Sequence, residues 1–254
     1  MLNLQKLGPR AAAIVLAAAG TAQATQIASF SEMNGTQDFS LTLNAGSTQD
    51  AFTASSPIFV VLSNAVGAPN ATPITATLTI TGDTSTTDAN ISSGGFLTQT
   101  NYQNGAFTIL GTGAYSGLGT ILSGTVNNDP PTNGSNSGLT GAAFGSSAAY
   151  SSSDSPGSYS QVVFTSSYWP IASLDAISAL SISLSNLEPD LTLAGGAAPP
   201  GGSGLVASFT AAGSGTFSTT LTAVPEPGSL ALLSCALMGL SFRRRARAGE
   251  AKKA

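Results

Sequence analysis

The chain has 254 residues, no histidine and one cysteine, enough for one ordinary domain between targeting segments. The net charge of −4 hides a division: all eight Lys and Arg lie within residues 6–10 and 243–253, so Thr25–Ala223 holds ten acids and no base, a net −10. A domain without a cation does not neutralise phosphate, which excludes nucleic acid and anionic lipid as partners of its own surface.

The same composition removes most catalytic chemistry. Without His there is no Ser-His-Asp triad and no histidine metal ligand, and without Lys in the domain no Ser-Lys pair. Neither a Gly-x-Ser-x-Gly elbow nor a phosphate-cradling Gly-Lys-Ser/Thr loop occurs. The lone cysteine, Cys235, lies in the apolar run near the C-terminus, so the domain has no disulfide.

The N-terminus reads as an export signal. Lys6 and Arg10 form a basic start, Ala11–Ala19 a short apolar core, and Ala22-Gln23-Ala24 a small-x-small cleavage site with the cut after Ala24. Signal peptidase and the Sec export machinery are the partners this implies. The expected layout is a signal peptide over 1–24, one domain over 25–223 and a sorting tail over 224–254.

Along the domain, aliphatic and hydroxyl residues alternate with period two. Phe39–Leu43, Ile74–Thr81, Leu180–Ser185 and Phe217–Ala223 each place apolar side chains on one face and Ser or Thr on the other. Alternate strand residues point to opposite faces, so each predicts a strand with one buried and one wet side. Further strands are expected at Ile58–Leu62, Ile121–Val126, Tyr159–Thr165 and Leu205–Phe209. Asn104-Gly105, between Gly95–Tyr102 and Ala106–Leu110, predicts a hairpin, because Asn and Gly tolerate the positive φ of a tight turn. Asn127–Gly157 and Ala194–Gly204 read as loops, the first with a weak strand around Ala142–Tyr150, and Ile171–Leu180 as the one place for a short helical turn. Nine or so strands in about 200 residues predict an all-β, antiparallel β-sandwich or jelly-roll-like domain.

Three sites carry possible chemistry. Glu188 and Asp190, with Asp175, have the residue types of a carboxylate-based glycoside hydrolase, against a reading as solvated turn acids. Asp83, Asp88 and Asn90, or Asn127, Asn128 and Asp129, supply oxygens of the kind calcium takes, against a reading as turn caps; no regular calcium loop is present. Tyr168-Trp169-Pro170 reads either as an aromatic patch for a sugar face or as core.

The last thirty or so residues have three parts in sequence. Pro225-Glu226-Pro227 is held extended, because proline fixes φ and the preceding residue avoids the helical region. Gly228–Phe242 carries no charge and is rich in leucine. Its fifteen residues give a helix of roughly 22 Å, against a hydrocarbon core of about 30 Å. A short single span is therefore expected, with Arg243, Arg244, Arg245 and Arg247 as a basic stop on the cytoplasmic side.

This arrangement resembles the PEP-CTERM sorting signal of Gram-negative bacteria. The resemblance rests on Pro225-Glu226-Pro227, Leu230–Leu240 and the arginines 243–247, about the last tenth of the chain. It implies that a membrane-embedded exosortase recognises Pro225, Glu226 and Pro227, and that the tail is removed. The inner-membrane intermediate then becomes a cell-surface or extracellular protein. It also implies company with exopolysaccharide and biofilm matrix. The expected role is that of a non-enzymatic surface or matrix protein with no cofactor; the alternatives are a carbohydrate- or calcium-binding module and a glycoside hydrolase.

Overall fold

The computed structural model describes residues 24–44, 46, 48–126, 138–153, 162–171, 178–195 and 203–221. These residues form fourteen strands: β1 (Thr25–Glu32), β2 (Phe39–Leu43), β3 (Asp50–Leu62), β4 (Pro73–Ser85), β5 (Ala89–Ile91), β6 (Phe96–Thr100), β7 (Gly105–Gly111), β8 (Thr120–Val126), β9 (Gly138–Ala142), β10 (Ser147–Ser153), β11 (Val162–Thr165), β12 (Ser178–Glu188), β13 (Ser203–Gly204) and β14 (Phe209–Thr219). A single 3-10 turn, Gly113–Leu118, is the only helical element among them.

All described strand pairs are antiparallel, as expected. They form one hydrogen-bonded path, β11-β8-β7-β4-β3-β1-β14-β12-β10-β9-β6-β5-β13, rather than two separate sheets. β2 also pairs with both β3 and β14. β1 and β2 thus fill one slot end to end, β1 against Ile58–Leu62 and β2 against Asp50–Ala54 of β3. Between them the Met33 N–H still donates to the Pro57 carbonyl and the Asp38 carbonyl accepts from the Ser55 N–H, so the extra length is taken up over residues 34–37.

The expected alternation holds where it was sharpest. Ile74, Ala76, Leu78 and Ile80 of β4 are buried, as are Leu180, Ile182 and Leu184 of β12. Their hydroxyl neighbours face outward. Pairing aligns Ser55, Thr79, Thr108, Ser123 and Thr165 in one row across β3, β4, β7, β8 and β11.

The inner face closes on itself. β7 and β14 are four strands apart, about 19 Å in a flat sheet at ~4.8 Å per strand. Yet the rings of Phe107 and Phe217 are centred 5.0 Å apart. Phe164 of β11, six strands from β14, lies 5.9 Å from Phe217, and Phe52 of β3 stacks on Tyr150 of β10 at 4.5 Å. Rings meet over such separations only if the sheet curls and lays one half over the other. Burial of this aromatic and aliphatic interior is the main stabilising term in a fold without described ion pairs. Close approach sets one residue choice: a Cβ on Gly213 of β14 would stand 2.4 Å from the Phe39 ring.

Several expectations need correction. Asn104 has φ of 63°, but β6 and β7 do not pair with each other. β6 pairs with β5 and β9, and β7 with β4 and β8, so the segment after β6 is a crossing between two parts of the sheet and not a hairpin. Asn101 has φ of 62° as well, and Gln103 bridges to Thr84. Leu205–Phe209 and Phe217–Ala223 are not two strands. One strand, β14, runs Phe209–Thr219, and Leu205 lies outside it. The 138–153 region, read as mostly loop, holds the paired strands β9 and β10. Ile171 forms an isolated bridge with Leu221, residues 172–177 lie outside the described set, and Ser178 already begins β12.

Candidate functional site

Among the described strands, the start of the first, β1, lies beside the end of the last, β14. Thr25 pairs with Thr219, and Ala24, the residue expected at the cleavage site, is exposed directly before β1. Thr220 is buried, and Leu221 is tied to Ile171 by a bridge and packs against the core. Only residues 222–224 separate that last bridged position from Pro225.

Ala22, Pro225, Glu226, Pro227, Arg243, Arg244, Arg245 and Arg247 lie outside the described residues, as does the expected transmembrane segment. Among the described residues no helix is long and apolar enough to cross a membrane.

The three chemical candidates fall differently. Trp169 is 4 % exposed, and its indole N–H donates to the Ser63 carbonyl at 2.7 Å. Tyr168 is half-buried and donates its hydroxyl to the Leu118 carbonyl at 2.7 Å. Trp169 belongs to the core and Tyr168 packs against it, as the core reading of this stretch expects; burying an indole requires a partner for its N–H, and Ser63 supplies it. Glu188 and Asp190 are exposed on the segment closing β12, where Gln37 meets Glu188 at 3.5 Å; Asp175 lies outside the described residues. Asp83, Asp88 and Asn90 do not converge: Asp83 is fully buried, whereas Asp88 and Asn90 are exposed. Residues 127–129 lie outside the described set. Among the described residues no three His, Cys, Asp or Glu gather as a metal site.

The structure also holds a polar cluster that sequence reasoning missed. Asp50 and Asp83 are both fully buried. Tyr150 donates its hydroxyl to Asp83 Oδ2. Tyr102, also fully buried, donates to Gln99 Oε1 at 2.9 Å, and Gln99 Nε2 donates to the Thr87 carbonyl at 2.9 Å. Among the described residues, neither carboxyl oxygen of Asp50 has a hydrogen-bond partner. Burial pushes the Asp50 pKa up to about 6, with the Gln99 amide and the N–H groups of Val206, Asp50 and Ser85 near enough to pull it part of the way back. Burial also raises the Tyr102 phenol, and the charges of Asp50 and Asp83 raise it further.

A sequence signal for Asp50 existed. It stands in step with Phe52, Ala54, Ser56 and Ile58, the inward positions of β3. Asp83 is out of step with Ile74–Ile80 and gave none. Gly82, at φ of 74°, inserts a bulge, so that Phe52 faces Asp83 whereas Ala54 faces Ile80. The extra residue turns Asp83 inward.

Comparison with known proteins bears on the tail. No curated protein and no solved structure matches the chain. Residues 223–245 match the family model described as the PEP-CTERM protein-sorting motif. The matched segment contains Pro225-Glu226-Pro227, the apolar run and Arg243–Arg245, with Arg247 just beyond. Such a motif implies export, a membrane-anchored intermediate and processing by an exosortase. The chain therefore carries, at residues 223–245, the PEP-CTERM protein-sorting motif of an exosortase substrate.

Proposed function

We propose that this chain is a non-enzymatic protein of the cell surface or extracellular matrix, delivered by its tail and associated with exopolysaccharide. The observation that carries the reading is the motif match at 223–245. In this reading Ala22 and Ala24 direct signal peptidase, and Pro225, Glu226 and Pro227 are what the exosortase reads. The arginines 243–247 hold the segment in the inner membrane until it is cut. The delivered domain is a rolled, sandwich-like sheet. Support for a passive role comes from its chemistry: the domain is cation-free, its exposed acids Glu188 and Asp190 stand on an open turn, and its outer face is lined with hydroxyls.

One observation favours a second reading, a carbohydrate-binding module. A concavity of about 460 Å³ is lined by Ser29, Phe30, Ser31, Phe59, Val61 and Pro73. Phe59 is 38 % exposed beside two serines, a combination that suits the mixed polar and C–H faces of a sugar.

The test is the mass of the protein recovered from the native cell surface. Loss of residues 1–24 and of the segment beyond the Pro-Glu-Pro motif supports the reading. A product that retains the apolar run and arginines, in cells that possess an exosortase, refutes it. Pro225→Ala combined with Pro227→Ala leaves uncut protein in the inner membrane if these prolines are what is read.

A further inference from the structure

We propose that the buried cluster around Asp50 is a proton-held clasp, which closes the rolled sheet in acid surroundings and loosens as the pH rises. Its parts come from both halves of the roll. Asp50 and Asp83 belong to β3 and β4, and Gln99 and Tyr150 to β6 and β10, on the far side of β14 in the strand order. Tyr150 joins the halves twice, by its hydroxyl to Asp83 and by its ring on Phe52 at 4.5 Å. Tyr102 packs edge-on against Tyr150 at 5.7 Å.

Among the described residues the clasp has no cation to neutralise it. No Lys, Arg or His occurs from residue 11 to residue 242. Among the described residues, the titratable groups near Asp50 are Tyr102, from the segment after β6, which feels the charges of both Asp50 and Asp83, and Asp83 itself, two positions along the β3–β4 ladder from Asp50; Tyr150 from β10 donates its hydroxyl to Asp83. The other neighbours, Gln99, Ser85 and the Val206 N–H, do not titrate. Every charge that develops in this part of the interior is negative. A buried carboxyl with two unpartnered oxygens and no counter-ion is stable as the neutral acid and costly as the anion. Proton loss from Asp50 then places a charge in the seam, beside Asp83.

The sign follows from linkage. The folded-state pKa of Asp50, about 6, exceeds the ordinary 3.8, so between these values the folded state holds the proton more tightly. Stability from Asp50 is full below the lower value and is lost as the pH rises through the upper one. The difference of roughly two units corresponds to about a hundredfold fall in the folded-to-unfolded ratio.

The experiment is urea unfolding of the full chain in detergent micelles from about pH 4 to pH 8, followed by the fluorescence of Trp169, the only tryptophan. Wild type is compared with Asp50→Asn, which stays neutral. The proposal expects the variant to lack about a hundredfold of the wild-type fall. Parallel pH profiles overturn it. Calcium at millimolar concentration that stabilises wild type at pH 8, but not Asp50→Asn, also overturns it, because the cluster then holds a metal and not a proton. A readout on the folded chain stands apart from variant stability: the infrared band of the protonated Asp50 carboxyl is expected to titrate near pH 6, and a midpoint in the ordinary carboxylate range overturns the clasp.

Discussion

Replacing Phe107 and Phe217 by leucine, singly and together, tests whether the sheet closes on itself. The two strands that carry them, β7 and β14, are separated in the hydrogen-bonding order by β4, β3 and β1. In an open sheet the side chains would be about 19 Å apart, and changes more than about 10 Å apart add to within roughly 0.5 kcal/mol. In the rolled sheet the ring centroids are 5.0 Å apart and tilted by 31°. A contacting aromatic pair is worth about 0.5–1.5 kcal/mol beyond the area it buries. Each single change is expected to cost on the order of 1 kcal/mol, as near-volume-conserving core swaps do. The double variant is expected to lose less than the sum of the two, by about 1 kcal/mol. Urea unfolding read by Trp169 fluorescence measures all four proteins. Strict additivity would refute the closure, whatever the size of the single losses.

Other expectations follow from single contacts. Gly213→Ala forces a methyl into the Phe39 ring and is expected to cost about 1–3 kcal/mol of unfolding free energy. Tyr150→Phe removes the hydroxyl that binds Asp83 and is expected to cost about 1–3 kcal/mol, with far-ultraviolet circular dichroism unchanged. Burial raises the pKa of Glu32 above its ordinary 4.5, partly offset by the N–H groups of Gly213 and Asp38. Its contribution to stability is therefore lost as the pH rises through that raised value, and Glu32→Gln is expected to flatten part of the slope in the same unfolding series. Trp169 is expected to emit in the blue and to ignore added polysaccharide; a red-shifted, sugar-sensitive spectrum contradicts its place in the core.

Legibility followed contrast along the chain. β4 was readable because four aliphatics alternate with four threonines, and period two has one physical meaning. β9 and β10 were hidden because Gly138–Ala142 and Ser147–Ser153 are built of small residues, whose alternation is faint although Leu139 and Tyr150 are buried. Asn104-Gly105 misled because the residue that takes positive φ fixes a turn but not the partner of the strand after it. That partner, β4, was decided by packing far away in sequence. The acid pair divided along the same line: Asp50 kept step with its strand, and the bulge at Gly82 put Asp83 out of step. The tail was the most legible part, because proline geometry, an apolar run and a basic stop speak to an enzyme and a membrane and need no tertiary context.

The pairing of Thr25 with Thr219 has a consequence for export. Within the roll, β1 is the first strand to leave a translocating channel and β14 the last, yet they are neighbours at the centre of the sheet. β14 is the keystone: among the described strands, the ladder runs from the β1–β3 side to the β12–β10 side only through it. Until its final residues emerge, the chain holds two half-built ladders, each with a bare edge ready to pair with a stranger. Completion of the domain and arrival of the sorting signal thus fall within a few residues of each other, so the moment at which the nascent protein ceases to be adhesive is also the moment at which it can be cut free.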